Sequence, residues 1–415
     1  MRTRRWAAMG SSMSAGLDTA GSAYSTQRLV GAIWRDIARP PAARCSLSHS
    51  GRAMSGAALP AARPRRRGMN DGRMSAPRPE LIVVVVACRR VALLARCLES
   101  VLAQRGVAFG VHVVLNGALP EVAVVAAGAA KDPRVTVSAI DAVTPAEARN
   151  VAVRHAQAEL VYFLDDDAWL PDDGALARVV AAFRADPELA VLGGPNLTPP
   201  DDPEIAHLTG TLLGSWVATG PTAARYRPRR AGPASERELI LCNLAARREA
   251  LEAHELPAFF PGEENALLAL LRSEGKRLAY DPDVFVYHHR RASLGAYLGH
   301  VQFYGRGRAY ALLHTRRAFH ALHAAPLALL VYLLLAPVLT WLEPLLAAPL
   351  LVYLVCCVFA ASGIALRARR PGWLPTLVWL LPATHLAYAI GFVSGLAERA
   401  RRRAALEVES VEPGR

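Results

Sequence analysis

The sequence predicts an α/β domain with a mostly parallel sheet, followed by apolar helices that enter or cross a membrane. The first prediction rests on strongly apolar, β-branched runs that alternate with helix-period segments between residues 79 and 292. The second rests on three long apolar stretches after residue 325, each close to the roughly 20 residues that span a bilayer. The 415 residues are enough for two or three domains.

Continuous apolar runs mark the predicted strands. Residues 80–87 are β-branched almost throughout, as expected of a parallel strand that is covered on both faces. From Val91 to Gln104 the apolar residues recur every three or four positions, which predicts an amphipathic helix. Further strands are predicted at Val111–Leu115, Val135–Val137, Leu160–Leu164, Leu189–Leu192, Leu239–Ala245 and Val284–Tyr287.

A capping pattern predicts a helix that begins just after Thr144. Thr144 is a good N-cap, Pro145 suits the first helical position and Glu147 follows in the first turn. This helix would carry Arg149 and Asn150 towards the strand at residues 160–164. Strand–helix alternation with short links implies right-handed crossovers.

The predicted strand at residues 160–164 runs directly into Asp165, Asp166 and Asp167. Adjacent carboxylates near a core are costly, and a hard divalent cation removes that cost. In open α/β sheets, ligands bind beyond the carboxyl ends of the strands. The cluster therefore predicts a site for a divalent ion and a diphosphate. The alternative is a solvated acidic turn, since Pro-Asp-Asp-Gly follows at residues 171–174.

The positive charge of the chain is concentrated at its start. Residues 1–78 contain 14 Arg and 3 Asp, so they carry +11 of the net charge of +13 and leave only +2 for the rest. A basic balance that lies outside the folded part does not predict nucleic-acid binding. The six cysteines form no C-x-x-C pair, which indicates reduced thiols in a protein that faces the cytosol.

Residues 1–78 are interpreted as a disordered basic tail. They are rich in Arg, Ala, Ser, Gly and Pro and have no apolar period, so they cannot bury enough surface to offset their ordering entropy. Two explanations stay open. The segment has the composition of a transit peptide, or the true start of the protein is Met69 or Met74, which we favour.

Six short motifs follow one another between about residues 81 and 289. They are an opening strand, the helix Leu94–Gln104, Ala148-Arg149-Asn150, Phe163–Asp167, Gly262-Glu263-Glu264 and Pro282–His288. Each motif alone is weak. In this order and at these spacings they resemble the family-2 glycosyltransferases of the GT-A fold, which is Rossmann-like with a mostly parallel sheet.

The resemblance implies a nucleotide-sugar site with Mg²⁺ or Mn²⁺. In that family the D-x-D acids bind the donor and its metal, so Asp165 would face the nucleoside and Asp167 the ion and diphosphate, with Asp166 in either role. The other expected donor-binding residues are Ala87, Asn116, Arg149 and Asn150. A UDP-sugar is the expected donor, although Leu115 stands where the family commonly has the acid that reads uracil.

His288 closes the strand predicted at residues 284–287. In related enzymes a His at this place joins the metal or the diphosphate. The resemblance therefore implies that His288 is a metal ligand together with Asp165 and Asp167. The alternative is a structural or solvated histidine.

Glu263 and Glu264 supply the predicted catalytic carboxylate. Transfer from a nucleotide sugar needs stabilisation of the leaving diphosphate and a carboxylate that takes the proton of the acceptor hydroxyl. Both acids precede a helix predicted at residues 265–273, where they would also complement the helix dipole. The usual family motif is Glu-Asp with the second acid as base. This implies that Glu264 is the base and Glu263 its neighbour, while Leu270 stands where an Arg is often found.

A basic, amphipathic juxtamembrane segment is predicted at residues 293–325. It resembles the Tyr-Gly-x-x-Arg region of membrane-anchored exopolysaccharide and O-antigen glycosyltransferases. Arginine forks match phosphate geometry, so Arg290, Arg306 and Arg308 are expected to hold the phosphates of a polyprenyl-diphosphate acceptor. Contact with anionic lipid is a compatible alternative. The chain has no Gln-x-x-Arg-Trp motif, so a processive synthase of the cellulose type is not predicted.

The three apolar stretches are Pro326–Leu342, Pro344–Leu366 and Trp373–Leu396. Arg-rich segments precede the first, separate the second from the third and follow the third. With a cytosolic catalytic domain, the positive-inside rule favours a hairpin of the first two and a re-entrant or interfacial third stretch over three crossings. We expect a multi-pass protein of the cell (inner) membrane, with a membrane region at residues 326–398 and a cytosolic tail at 399–415.

These expectations combine into a membrane-bound, inverting glycosyltransferase of the hexosyltransferase type. It would move a sugar from a nucleotide donor to a lipid-linked or growing glycan in cell-surface polysaccharide synthesis. Two alternatives stay open. One is a metal-dependent nucleotidyl- or phosphotransferase, although the chain lacks a P-loop pattern. The other is an inactive membrane subunit that binds glycan or lipid phosphate, which Leu115 would favour.

Overall fold

The computed structural model describes residues 78–318 and 320–411, with side chains described as far as Arg401. The interpretation of residues 1–77, including Met69, Met74 and Cys45, lies outside this part of the chain. The five cysteines within it are free thiols, in agreement with the sequence.

Eleven strands are present in the described residues. They are β1 (Leu81–Ala87), β2 (Phe109–Asn116), β3 (Val135–Ile140), β4 (Leu160–Asp165), β5 (Ala168–Trp169), β6 (Leu189–Gly193), β7 (Asn196–Leu197), β8 (Gly232–Pro233), β9 (Asn243–Arg247), β10 (Arg277–Tyr280) and β11 (Val286–His288).

Twelve α-helices accompany them over the same part of the chain. They are α1 (Val91–Leu102), α2 (Pro120–Ala129), α3 (Pro145–His155), α4 (Ala175–Ala185), α5 (Glu204–Leu213), α6 (Trp216–Thr219), α7 (Arg248–Ala253), α8 (Glu263–Ser273), α9 (Leu294–His314), α10 (Ala324–Leu342), α11 (Ala348–Arg367) and α12 (Leu374–Val411).

Eight strands form one sheet in the order β3-β2-β1-β4-β9-β6-β10-β8. The first four are parallel to one another, and β6 is parallel to β10. The exceptions are β9, which is antiparallel to β4 and β6, and the short edge strand β8. The sheet is thus mostly parallel with helices packed on it, and the predicted GT-A-like α/β fold is confirmed.

Hydrophobic packing on both faces explains the continuous apolar strands. The side chains of Val83, Val85 and Leu164 belong to one buried cluster, and those of Val84 and Phe163 belong to the other. Alternate residues of a strand point to opposite faces. A strand covered on both faces therefore has no place for a polar residue until it ends, and this is where the Asp cluster of β4 begins.

One predicted element needs correction. The strand expected at Leu239–Ala245 begins later, at Asn243, and runs antiparallel to its neighbours. The preceding segment, residues 219–237, contains a 3₁₀ helix at Gly220–Arg225, where Arg225 is buried. Neither feature has a clear sequence period, because both depend on contacts with distant segments. The capping of α3 by Thr144 and Glu147 is confirmed in full.

Three helices after the α/β domain are long and apolar enough to span a membrane, at Ala321–Leu342, Pro344–Arg367 and Pro371–Arg401. None of the most apolar window of the first span and 11% of that of the second is buried within the protein, compared with 44% for the third. Helix α12 continues through the third stretch without a reversal.

Candidate functional site

Polar side chains gather at the carboxyl ends of three neighbouring strands. Asp165 ends β4 beside Val86 of β1, and Asn116 ends β2 on the other side of β1. These ends lie at one edge of the parallel part of the sheet, which is where open α/β folds bind ligands.

Asp165, Asp167 and His288 form the candidate metal centre. One ligand atom from each lies within 4.8 Å of the others, and Nε2 of His288 is 3.1 Å from Oδ1 of Asp167. Antiparallel pairing of β5 with β11 sets Ala168 opposite His288, so the sheet register brings the histidine to the carboxylates. Two carboxylates and an imidazole are a donor set that suits Mn²⁺ or Mg²⁺, so the residues fit the ion.

Arg90, directly after β1, is a site residue that the sequence analysis missed. Its Nη1 lies 2.7 Å from Oδ1 of Asp166 and 2.7 Å from Oδ2 of Asp167. Asp167 therefore contacts both Arg90 and His288, whereas Asp166 contacts Arg90 and is not part of the Asp165–Asp167–His288 cluster. The position of Arg90, just beyond the carboxyl end of a buried strand, was the available signal.

The three aspartates differ in their electrostatic environments. Burial raises the pKa of Asp166 to about 7, despite the nearby charge of Arg90. Burial also opposes ionisation of Asp167, but His288 and Arg90 outweigh it and hold the pKa of Asp167 below its usual range. At neutral pH, Asp167 is consequently ionised and able to ligate a cation.

Arg149 joins the metal centre to the paired glutamates. From α3, its Nη2 donates to Oδ1 of Asp165 at 2.6 Å and its Nη1 to Oε1 of Glu263 at 3.2 Å. The residue is buried, which opposes its charge, yet the two carboxylates raise its pKa. The guanidinium therefore stays charged and fixes the distance between the two acidic groups.

Glu263 and Glu264 begin α8 and are both buried. Burial and the carboxylate of Glu264 raise the pKa of Glu263 to about 8, although Arg149 favours its charged form. Oε1 of Glu264 accepts hydrogen bonds from Arg225 at 3.3 Å and from Nδ2 of Asn265 at 3.0 Å. The two neighbouring acids thus have different hydrogen-bond partners.

Arg225 is the second site residue that the sequence analysis missed. It also donates to Oδ1 of Asn265 at 2.8 Å and to the backbone oxygens of Glu236 and Arg237. These bonds hold Arg225 between the start of α8 and the backbone at residues 236 and 237. It lies in an Arg- and Pro-rich stretch that resembles a solvated loop, so its sequence gave no signal of burial.

A single cavity of about 780 Å³ connects these groups to the apolar helices. Its lining includes Asp165, Asp167 and Glu264, and also Leu329 of α10, Tyr353 of α11 and Tyr388 of α12. The candidate site therefore opens towards the helices that could lie in a membrane.

Three expected donor-binding residues have other partners. Ala87 is packed in the core, while its neighbours Val86 and Cys88 line the cavity. Asn150 bonds through both ends of its amide to the backbone of Leu256 and does not line the cavity that the described residues enclose. Asn116 lines the cavity, but its amide is bonded to the backbone of Val143.

The three arginines expected to bind acceptor phosphate occupy different surroundings. Arg290 is bonded to Asn196, Thr198 and Asp202. Arg306 faces Glu398 of α12 at 4.0 Å. Arg308 lines the cavity, is buried, and its Nη1 has no hydrogen-bond partner among the described residues. The structure therefore brings only Arg308 of the three to the cavity.

Residues 82–254 match the family model described as Glycosyl transferase family 2. The chain is 28% identical over 232 residues to the succinoglycan biosynthesis protein ExoO of Rhizobium meliloti (strain 1021). This similarity covers 53% of the present chain and 64% of the length of ExoO.

Among solved structures, the chain is similar to the mannosyltransferase PcManGT from Pyrobaculum calidifontis, in complex with GDP-Man and Mn²⁺. The two share 20% sequence identity, with a TM-score of 0.51 over 76% of this chain and 87% of the other. At this identity the similarity supports the fold, including helices beyond the α/β domain.

Proposed function

We propose that the protein is a membrane-bound, inverting glycosyltransferase. The premise is that residues 82–254 match the glycosyl transferase family 2 model. The protein moves a sugar from a nucleotide donor to a lipid-linked or growing glycan acceptor. The observation that carries this proposal is the continuous cavity from the Asp165–Asp167–His288 cluster, past Glu264, to the apolar helices.

The donor diphosphate binds at the end of the cavity where the positive groups surround the aspartates. Asp165, Asp167 and His288 hold Mg²⁺ or Mn²⁺, which supplies charge stabilisation to the leaving diphosphate. Arg90 lines the same end of the cavity and presents a guanidinium that suits phosphate oxygens. The structure of a similar protein with GDP-Man and Mn²⁺ supports this chemistry for the fold. A UDP-sugar is the first donor to test.

Glu264 is the base that takes the proton from the acceptor hydroxyl. It lines the cavity, and Arg225 and Asn265 fix its Oε1. Glu263 is suited to a different role, because its raised pKa keeps it largely protonated at neutral pH and Arg149 holds it to the metal centre. A single base on the side of the acceptor gives one displacement and therefore inversion at the anomeric carbon.

The acceptor enters from the side of the apolar helices. Arg308, with its unpartnered Nη1, is the cation in this part of the cavity best suited to bind an acceptor phosphate. A buried guanidinium nitrogen without a hydrogen-bond partner is costly, and a polyprenyl-diphosphate oxygen would satisfy it. The lipid tail would then lie beside α10 and α11, whose surfaces are apolar and largely exposed.

The proposed biological role is the assembly of a cell-surface polysaccharide at the cytoplasmic face of the cell membrane. Its support is the similarity to ExoO, a succinoglycan biosynthesis protein, and the three helices that could span a membrane. Nucleotide sugars are cytosolic, so the catalytic domain is assigned to that side.

The direct test is nucleotide release from UDP-, GDP- and dTDP-sugars by the full chain in detergent, with Mn²⁺ or Mg²⁺ and a mixed lipid extract as acceptor. Release from one donor that disappears in Asp167→Asn would support the proposal and identify the donor. Pyrophosphate release without sugar transfer would indicate a nucleotidyltransferase. Absence of release from every donor would favour an inactive binding subunit.

The role of Glu264 has its own comparison. Glu264→Gln is expected to lower transfer by a factor of about 10² to 10⁴, the usual contribution of a general base, while donor binding persists. Glu263→Gln keeps a neutral group at its position and should lower transfer far less. Equal turnover in wild type and Glu264→Gln would exclude Glu264 as the base.

A further inference from the structure

The helix that begins with the proposed base is packed closely against α9. Ala266 and Ala269 of α8 form a buried cluster with Ala311 of α9 and with Ala318 just beyond it. Small side chains at a helix contact let the two backbones approach closely. At the other end of α8, Nη1 of Arg317 donates to Oγ of Ser273 at 2.6 Å. The base helix is therefore attached to the α9 region at both ends.

The loop in front of the base is in backbone contact with α9. A methyl group at Gly307 would lie 2.6 Å from the carbonyl oxygen of Pro261, and one at Gly262 would lie 2.7 Å from the carbonyl oxygen of Gly307. The rings of Phe260 and Phe303 add an edge contact with centroids 5.2 Å apart. Gly262 immediately precedes Glu263 and caps α8, so this contact sets where the helix begins.

The opposite side of α9 is in backbone contact with α12. A methyl group at Gly305 would lie 2.2 Å from the carbonyl oxygen of Tyr388, and one at Gly391 would lie 2.0 Å from that of Gln302. The same holds one helical turn later, where a methyl group at Gly395 would lie 2.9 Å from the carbonyl oxygen of Arg306. We name this α9–α12 contact, formed by Gly305, Gly391 and Gly395, the glycine seam.

Polar contacts fix the glycine seam at its two ends. The hydroxyls of Tyr297 and Thr384 are hydrogen bonded at 3.0 Å, and Tyr310 donates to Glu398 at 2.7 Å. These bonds prevent α9 from sliding along α12. The third apolar helix is thus joined to α9 from the region of residue 384 to that of residue 398, a length of more than three turns.

Backbone-to-backbone contacts transmit displacement because no side chain between them can change rotamer to absorb it. Close-packed interiors deform little, so a shift of α12 moves α9, and a shift of α9 moves Gly262 and the start of α8. A base must be within hydrogen-bond reach of the proton that it takes, and a misplacement of about 1 Å can cost about 10²-fold in rate.

We propose that α9 and α12 together set the position of Glu264, with Gly307 as a positioning residue for the reaction. The third apolar helix is then a part of the catalytic unit as well as a membrane element. This inference rests on the proposed function for the role of Glu264, but the mechanical connection from Gly391 to Gly262 stands on the contacts alone.

The kinetic test compares Gly307→Ala with Gly299→Ala in the full chain. Both substitutions add one methyl group to α9, but at Gly299 the methyl group would meet nothing within 4 Å. Gly307→Ala is expected to lower kcat for transfer about tenfold or more, with the donor KM and Mn²⁺ affinity unchanged, because Asp165, Asp167 and His288 are held by hydrogen bonds to residues outside α9. Gly299→Ala is expected to resemble wild type.

A second measurement does not depend on activity. Hydrogen exchange in peptides that cover residues 259–266 is expected to increase in Gly307→Ala and also in Gly391→Ala, whose change is on α12. Gly299→Ala and Gly363→Ala, which add a methyl group in open space on α9 and α11, should leave it unchanged. If Gly391→Ala does not fold, Tyr297→Phe removes a bond of the glycine seam without crowding and is judged by the same criterion.

The two measurements separate the failure of this inference from failure of the proposed function. Unchanged exchange at residues 259–266 in both Gly307→Ala and the α12 variant would overturn the inference, whatever the enzyme does. A wild-type protein that transfers no sugar would overturn the proposed function, and the exchange data would still decide whether α9 and α12 hold the loop. Equal loss of kcat and donor affinity in Gly307→Ala would indicate general unfolding and overturn its positioning role.

Discussion

Nη1 of Arg149 lies 3.2 Å from Oε1 of Glu263, although the two residues are 114 positions apart in the sequence. The same guanidinium bonds to Asp165 at 2.6 Å. One arginine therefore connects the candidate metal centre to the pair of acids that contains the proposed base. Both partners of the Arg149–Glu263 contact are almost fully buried, so solvent screens the contact little.

Loss of Arg149 is expected to destabilise the protein strongly. Arg149→Met leaves Asp165 and Glu263 near each other without their shared cation, and breaking a buried ion pair in this way costs about 3 kcal/mol or more. Arg154→Met on the same helix is the control, because the Arg154–Glu255 pair is half exposed and worth under about 1 kcal/mol. Denaturant unfolding of the two variants in detergent checks the difference, and similar midpoints would contradict it.

The raised pKa of Glu263 predicts a pH-dependent stability. Between its ordinary value of 4.5 and about 8, the folded protein retains a proton that the unfolded chain has released. Stability in this window therefore falls as pH rises. Glu263→Gln removes this dependence, so the melting temperature of the variant relative to wild type is expected to increase from pH 4.5 to 8 and then level off.

The control for this pH series is Asp132→Asn. A hydrogen bond from Arg134 lowers the pKa of the half-buried Asp132 to about 2, so its titration ends below the window. Its melting-temperature difference from wild type should stay constant between pH 4.5 and 8. A constant difference for Glu263→Gln as well would show that Glu263 is ionised throughout the window in the folded protein.

The candidate metal centre predicts which substitutions weaken Mn²⁺ binding. Asp167→Asn and His288→Ala are each expected to lower the affinity for Mn²⁺ by at least about tenfold. Substitutions of residues that only support metal ligands already have effects of this size. Asp172→Asn is the matched control, since Asp172 is a nearby exposed acid that pairs with Arg178. Titration calorimetry of the full chain measures all three. Wild-type affinity in His288→Ala would remove His288 from the ligand set.

Arg308 and Arg306 are expected to differ in their effect on the acceptor. Arg308→Gln should raise the KM for a polyprenyl-diphosphate-linked acceptor about tenfold or more, because it removes a charge-assisted bond to phosphate inside the cavity. Arg306→Gln should change it little, since Arg306 faces Glu398. The donor KM is the internal control. If Arg308→Gln affects a lipid-free sugar acceptor equally, the residue does not bind lipid phosphate.

The sequence was most informative where local chemistry leaves few choices. Continuous β-branched runs have to be strands covered on both faces, and β1 begins and ends within one residue of the prediction. Thr144, Pro145 and Glu147 specify a helix start through bonds among themselves, and the structure has all of them. The apolar stretches at the end of the chain are likewise recognisable, by length and composition, as helices that could span a membrane.

Prediction was weakest where an element is ordered by distant contacts. The segment around Arg225 contains arginines, prolines and glycines that are typical of a solvated loop. It is ordered because Arg225 donates hydrogen bonds to Glu264 and Asn265, which lie about 40 residues later in the chain. Similarly, no local pattern distinguishes Arg308, which lines the cavity, from Arg306, which faces α12, because two positions on a helix point in different directions.

The sequence by itself determined the fold class, the acids at the end of β4 and the apolar helices, because strand burial, carboxylate repulsion and bilayer thickness act on short segments. Only the tertiary structure decided which arginines pair with which carboxylates and which helix α12 packs against. Those facts depend on sheet register and on glycine contacts between residues up to about 90 positions apart. Short-range patterns contain no information about such contacts until the chain has folded.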